Sequence, residues 1–230
     1  MRPLYLVGTP LKRLVTARAV NAIDMTSQPG AERFMPDRTS LSALREAAAD
    51  CEGCELFQAA TQTVFGTGPA RARLVFVGEQ PGDQEDRAGE PFVGPAGRLL
   101  DHALADAGLG DVPRYVTNAV KHFRFTERGK RRIHRAPNLG QLRACLPWLT
   151  AELKAIRPEL VVCLGATAAH AVFGPDFRLT QHRGELLEPA DGPGQALATV
   201  HPSSVLRAED RDEAYAQFVA DLKRIPVHKE

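Results

Sequence analysis

Arg73-Leu-Val-Phe-Val-Gly78-Glu79-Gln80-Pro81-Gly82-Asp83-Gln84-Glu85-Asp86 is the stretch that decides the fold. Its first six residues form a short apolar run with β-branched side chains and no polar alternation. That is the pattern of a strand buried on both faces of a parallel sheet. The run then breaks into glycine, proline and acids. Open α/β sheets build their sites in such loops, at the carboxyl ends of parallel strands. Gly78 lets the backbone approach a ligand closely. Glu79 is the first carboxylate off the strand and the candidate general base. Asp83, Glu85 and Asp86 are weaker candidates, some of them holding the loop, and a plain solvated turn is the alternative.

Three further strands are expected, over residues 114–120, 159–164 and 196–200. Helices are expected between and after them, over 98–107, 138–156, from Gly165 onward, and over 211–224. The helix over 138–156 carries Leu142, Cys145, Leu146, Leu149 and Leu153 on one face, and Pro147 is expected to bend or interrupt it. Strand and helix thus alternate four times. This predicts an α/β domain of three αβα layers around a four-stranded parallel sheet. The loops after the four strands then converge at one edge.

Three of those loops carry chemistry, and the fourth is the Gly165 turn. Asn118 lies near the end of the second strand, where a carboxamide offers both donor and acceptor to the edge of a nucleobase. The bland alternative is a turn-forming asparagine. Phe92 stands alone in Gly89-Glu-Pro-Phe92-Val-Gly-Pro-Ala-Gly97, where a packing plug competes with a stacking platform. The last strand ends at His201-Pro-Ser203-Ser204-Val-Leu-Arg207, a histidine followed by hydroxyls and an arginine suited to phosphate. His170, by contrast, reads as structural or exposed.

After the second strand comes a basic segment, read as an irregular loop. It holds Lys121, Arg124, Arg128, Lys130, Arg131, Arg132 and Arg135 against the single acid Glu127. Such a run suits a polyphosphate backbone. Lys130-Arg131-Arg132-Ile133 leads into His134, and a neutral imidazole is a competent nucleophile near pH 7. The alternative is a solvated loop with an idle histidine.

The chain has 230 residues, enough for one sizeable core, and its net charge of +1 means that an anionic partner must be met by a local patch. No apolar run approaches the ~20 residues that span a bilayer. No clear signal peptide is present, so cytoplasmic residence is expected. Residues 1–40 are rich in scattered Pro, Gly, Ser and Arg without periodicity. They read as a mostly disordered extension to a domain over 41–230, with Met25 as a second possible start. From Ser40, a helix carrying Leu41 and Leu44 runs into Cys51-Glu-Gly-Cys54. This pair precedes the first strand, which argues against a thioredoxin-like redox site. With Cys145 and Cys163 it makes four thiols, suited to zinc or an iron–sulfur cluster. Alternatively, Cys145 and Cys163 are small buried hydrophobes.

These motifs together resemble the uracil-DNA glycosylase superfamily, in particular its iron–sulfur, family 4-like branch. Gly78-Glu79-Gln80-Pro81-Gly82 is similar to the first motif of family 4 glycosylases, which usually have a small residue where Gln80 stands. His201-Pro-Ser-Ser-Val-Leu-Arg207 is similar to the second. Gln80 combined with Lys130-Arg-Arg-Ile-His134 resembles the UdgX type. The resemblance spans about residues 41–222. It implies that Phe92 stacks on uracil, that Asn118 reads its polar edge with Gly78 and Gln80 nearby, and that His201 stabilises the departing base. It also implies that His134 attacks the sugar to leave a covalent protein–DNA adduct, with Glu79 taking the proton. Lys121, Arg131, Arg132, Ser203, Ser204 and Arg207 would hold the loop or the DNA backbone. Cys51, Cys54, Cys145 and Cys163 would hold a structural [4Fe–4S] cluster, Cys163 being the least secure. The implied partner is uracil-containing DNA, bound by a monomer without a membrane. An ordinary turnover glycosylase and a catalytically silent, metal-stabilised nucleic-acid-binding module are the rival readings.

Overall fold

The computed structural model describes residues 30–189 and 194–226. In chain order the elements are α1 (Leu41–Ala48), β1 (Leu74–Gly78), α2 (Asp83–Ala88), α3 (Pro95–Asp106), β2 (Arg114–Asn118), β3 (Phe125–Arg128), β4 (Arg131–His134), α4 (Leu139–Ile156), β5 (Leu160–Leu164), α5 (Ala166–Phe173), α6 (Leu179–His182), β6 (Leu186–Leu187), β7 (Gln195–Thr199), α7 (Pro202–Leu206) and α8 (Arg211–Leu222).

The main sheet has the order β2-β1-β5-β7-β6. Its first four strands are parallel, as the apolar runs predict, and β6 pairs antiparallel with β7. The sheet therefore has five strands rather than the four expected. The fifth is two residues long, too short to carry a pattern of its own. Every residue of β1 and β5 is buried, because both faces are covered. Val75, Val77, Val161, Cys163, Ala196 and Ala198 join Trp148 and Leu149 of α4 and Ala168 and Ala169 of α5 in one core. Leu74, Phe76, Leu160, Val162, Leu164 and Leu197 join Leu100 and Leu104 of α3 and Phe218 and Leu222 of α8 in the other. The two-residue period of the strands thus sorts side chains between two helical layers.

The helix α4 is capped by Asn138, whose side chain accepts from the Gln141 amide at 2.8 Å while Gln141 returns a bond of 2.8 Å to the Asn138 amide. It runs through Pro147 without interruption, so the break expected there does not occur. Of the extension read as disordered, residues 1–29 lie outside the described residues. Residues 31–34, however, form a 3₁₀ turn whose Ala31 is buried in the core beside α4.

The basic segment is not an irregular loop. Strands β3 and β4 pair antiparallel as a separate two-stranded hairpin, with Phe125 opposite His134 and Glu127 opposite Arg132. An isolated hairpin is marginal in water, and this one is held by side chains from the strand-end loops.

Candidate active site

Four strand-end loops and the hairpin enclose a cavity of about 870 Å³. Glu79, Gln80, Phe92, Asn118, His134, His201, Ser203, Ser204 and Arg207 line it, so the site residues read from separate motifs converge. Leu164, Gly165, Ala166 and Thr167 add a wall from the β5–α5 turn, to which the sequence had assigned no role.

The floor is set by Gly78. It ends β1 directly opposite Asn118 in the parallel register. A Cβ at Gly78 would collide with Asn118 Oδ1 and sit 2.7 Å from Phe92 Cζ, so only glycine lets the two side chains meet there. Asn118 is 3% exposed, yet its carboxamide has no hydrogen-bond partner among the described residues. Buried carboxamides are normally satisfied; this one faces a cavity in which a ligand edge can satisfy it. Phe92 is held at φ 60, a backbone conformation that is an outlier for an aromatic residue. Gly97 permits this, since any Cβ at that position would drive into the Phe92 carbonyl. The Phe92 ring lies 6.3 Å from the His201 ring at an interplanar angle of 28°.

His201 has a defined tautomer. Its Nδ1 accepts from the Ser203 amide at 3.1 Å and lies 2.8 Å from Ser203 Oγ. A backbone N–H only donates, so the proton of the neutral ring is on Nε2. Burial lowers the His201 pKa to about 4, and His134 and Arg207 push the same way. The ring is therefore a neutral donor at pH 7, suited to an oxygen that gains charge. Ser203, expected at the DNA backbone, instead sets this tautomer. Ser204 Oγ donates to the His201 carbonyl at 2.7 Å and is likewise engaged within the turn.

His134, at the end of β4, brings Nε2 to 3.4 Å from Glu79 Oε1. Burial lowers the His134 pKa; Glu79 opposes the shift and Arg207 adds to it. The other Glu79 oxygen accepts from Thr167 Oγ1 at 2.6 Å. Gln80, expected at the base, is spent on the hairpin. Its Nε2 donates to the carbonyls of Arg124 and Arg135, both at 3.1 Å, and its Oε1 accepts from the Arg124 amide at 3.1 Å. One carboxamide thereby ties together the two ends of β3–β4.

The basic residues divide into separate jobs. Arg132 turns inward, donating to Asp83 Oδ1 at 2.5 Å and Asp86 Oδ2 at 2.6 Å while lying over the Phe123 and Phe125 rings. Burial alone would raise the Asp83 pKa; Arg132 and Arg87 outweigh it and hold the carboxyl below its usual range. Asp86, fully buried, also accepts from the Thr61 amide and hydroxyl. Glu85 accepts from the amides of Gly82 and Gly94 at 3.1 and 2.7 Å. The three acids after Glu79 are thus fasteners for the loops and hairpin. Arg128, Lys130 and Arg131 remain exposed on the hairpin, free to meet phosphate.

Lys121, expected among the basic residues that meet DNA, is instead fully buried. It donates to Glu152, to Thr117 Oγ1 at 2.7 Å and to the Asn118 carbonyl at 2.8 Å. Glu152 also accepts from Tyr115 at 2.9 Å and from the Gly66 amide at 3.1 Å. Burial beside this carboxylate pushes the Tyr115 pKa well up. The ion pair braces the strand end that presents Asn118.

The four cysteines are all buried and free. Cys51, Cys54 and Cys145 act on one another by charge, and burial pushes the Cys145 thiol up to about 12 and raises Cys54. The Trp148 indole donates to Cys51 Sγ and the Lys121 amide to Cys145 Sγ, both at 3.2 Å. Cys163, mid-strand in β5, is shifted by burial alone and feels none of the other three. It packs as a small residue in the core. Among the described residues, no three His, Cys, Asp or Glu side chains are arranged to close on a metal ion. No described helix is long and apolar enough to cross a membrane.

Comparison with known proteins agrees with this geometry. Residues 65–223 match the family model of the uracil DNA glycosylase superfamily. The chain is 35% identical over 181 residues to a type-4 uracil-DNA glycosylase of Archaeoglobus fulgidus, covering 76% of this chain and 86% of that one. It is 37% identical over 158 residues to the type-4 enzyme of Thermotoga maritima, covering 68% and 78%. With that of Pyrobaculum aerophilum the identity is 34% over 179 residues, covering 73% and 85%. By its sheet, its strand-end motifs and these matches, the chain belongs to the uracil-DNA glycosylase superfamily.

Proposed function

We propose that this protein is a uracil-DNA glycosylase of UdgX type, in which His134 captures the sugar after the base departs. The observation that carries the reading is the approach of His134 Nε2 to Glu79 Oε1, 3.4 Å apart at the mouth of a pocket lined by Phe92, Asn118 and His201. Uracil leaves the duplex stack to enter such a pocket. Phe92 covers its face and Asn118 pairs with its polar edge. The C1′–N1 bond breaks with its electron pair leaving on uracil, and His201 Nε2–H stabilises the charge that develops on the base oxygen. Nε2 of His134 bonds to C1′ as Glu79 takes the imidazole proton, leaving a neutral alkylated ring. Exposed Arg128, Lys130 and Arg131, with Arg207 in the cavity, would meet the flanking phosphates.

A structural [4Fe–4S] cluster is proposed on Cys51, Cys54 and Cys145. Thiolates of this kind suit iron, and a cluster held there would stabilise the α1–α4 side of the fold, apart from the chemistry. Iron and sulfide analysis of the purified protein tests it; zinc alone refutes it.

The test of function is a denaturing gel with uracil- and thymine-containing oligonucleotides. A shifted band with uracil only, mapped by mass spectrometry to the peptide of His134, is expected. His134→Ser should lose the band and gain turnover, because water then reaches Glu79. Released uracil without a band would establish an ordinary turnover enzyme. Neither product would leave a binding module.

A further inference from the structure

The β5–α5 turn contributes a wall of the cavity, and on it Thr167 is the residue whose side chain reaches Glu79. A glutamate immediately after a strand end has three free torsions, and its carboxylate needs a fixed donor to stay in one orientation. Among the described residues, Thr167 Oγ1 is the hydrogen-bond donor to Glu79, at 2.6 Å from Oε2. The His134 contact on the other oxygen is 3.4 Å long, too long to hold the group by itself. Threonine is suited to the task, since its β-branch restricts χ1 within a helix. Thr167 is the second residue of α5, and its hydroxyl donates its hydrogen bond to Glu79.

We propose that Thr167 is a positioning residue: its hydroxyl fixes the Glu79 carboxylate so that Oε1 faces the attacking nucleophile. The inference rests on Glu79 acting as proton acceptor, as in the function proposed above. It holds whether the nucleophile is His134 or water, because either must approach the same oxygen. Thr167 touches no reacting atom itself. Its effect is on the orientation of a charged acceptor, and so on the rate of the step rather than on DNA affinity.

Single-turnover uracil release and adduct formation, measured against protein concentration, test this. Thr167→Val keeps the shape and removes the donor. The rate constant at saturation should fall by about 10- to 100-fold, the effect of losing one hydrogen bond to a charged group. The half-saturating concentration should stay within about twofold, since no contact to DNA is lost. Thr167→Ser should restore most of the rate. In a Glu79→Gln background, Thr167→Val should cause little further loss, because coupled groups are not additive. A Thr167→Val protein that reacts at the wild-type rate overturns the proposal. So does an equal loss in the Glu79→Gln background, or a change confined to half-saturation. Failure of the covalent reading appears separately, in wild-type protein that releases uracil without a band. Wild-type protein that releases no uracil overturns both.

Discussion

Gln80→Ala gives the sharpest test of how the proposed nucleophile, His134, is held. The wild-type carboxamide makes three hydrogen bonds to the backbone at Arg124 and Arg135, where β3 begins and β4 ends. Gln80 is 6% exposed, so water replaces these bonds only in part. At about 1 kcal/mol net per bond, the hairpin's closed state loses roughly 3 kcal/mol. Since each 1.4 kcal/mol is a factor of ten, the closed population relative to open falls by up to about 100-fold. Arg132 still ties the hairpin to Asp83 and Asp86, so the hairpin sways at its base without leaving the domain. Adduct formation should therefore slow by about 10- to 100-fold, while uracil release slows less, because Asn118, Phe92 and His201 are untouched. Hydrogen exchange at the Arg124 amide should quicken in step, since that amide loses its acceptor. Wild-type adduct kinetics in Gln80→Ala would show that the clamp does not hold His134. Slow adduct formation with unchanged exchange would place the effect elsewhere.

Adduct formation should persist below the pH at which an ordinary histidine is lost. The His134 pKa is lowered, and the neutral ring is the reactive form, so the acid limb of a pH–rate profile lies below the usual value of 6.5; a limb above it would contradict this. His201→Ala should slow base release far more than DNA binding, and Asn118→Ala should relax uracil selectivity by roughly 1–3 kcal/mol in competition with cytosine, whose polar edge differs; equal effects on all bases would remove the readout role. Lys121→Met should destabilise the fold by about 3–5 kcal/mol in urea titrations, because Glu152 is left buried without its cationic partner, and Lys121→Met with Glu152→Gln should recover much of it. An additive double variant would refute the pairing.

The parallel core was legible because β1 and β5 are buried on both faces, and unbroken apolar runs rich in Leu and Val leave few other readings. The site residues were legible as strand-end motifs, since topology places all such ends at one edge. The hairpin was not. Phe125-Thr-Glu-Arg128 and Arg131-Arg-Ile-His134 are charged and largely exposed, so nothing local marks them as strands, and their pairing depends on Gln80 and Arg132. Lys121 looked like one more member of a basic run. Its burial is decided by Glu152, thirty-one positions away on α4, which no local pattern discloses. Cys163 was grouped with the other thiols by their number and by the cysteine pattern that the resemblance implies, and its place mid-strand sets it apart. Thr167 left a faint signal, a hydroxyl two residues past a strand-end glycine.

Arg132 and His134 are two positions apart on β4, so the pleat points both to one side. The anchor and the imidazole are thus locked to a common parity. A single residue inserted between them would send one outward whenever the other points in. Residues added beyond Arg128 and before Arg131 leave that parity intact, because the turn lies on the far side of the anchor. The reach of this arm toward DNA is therefore adjustable at its tip, independently of where its histidine sits.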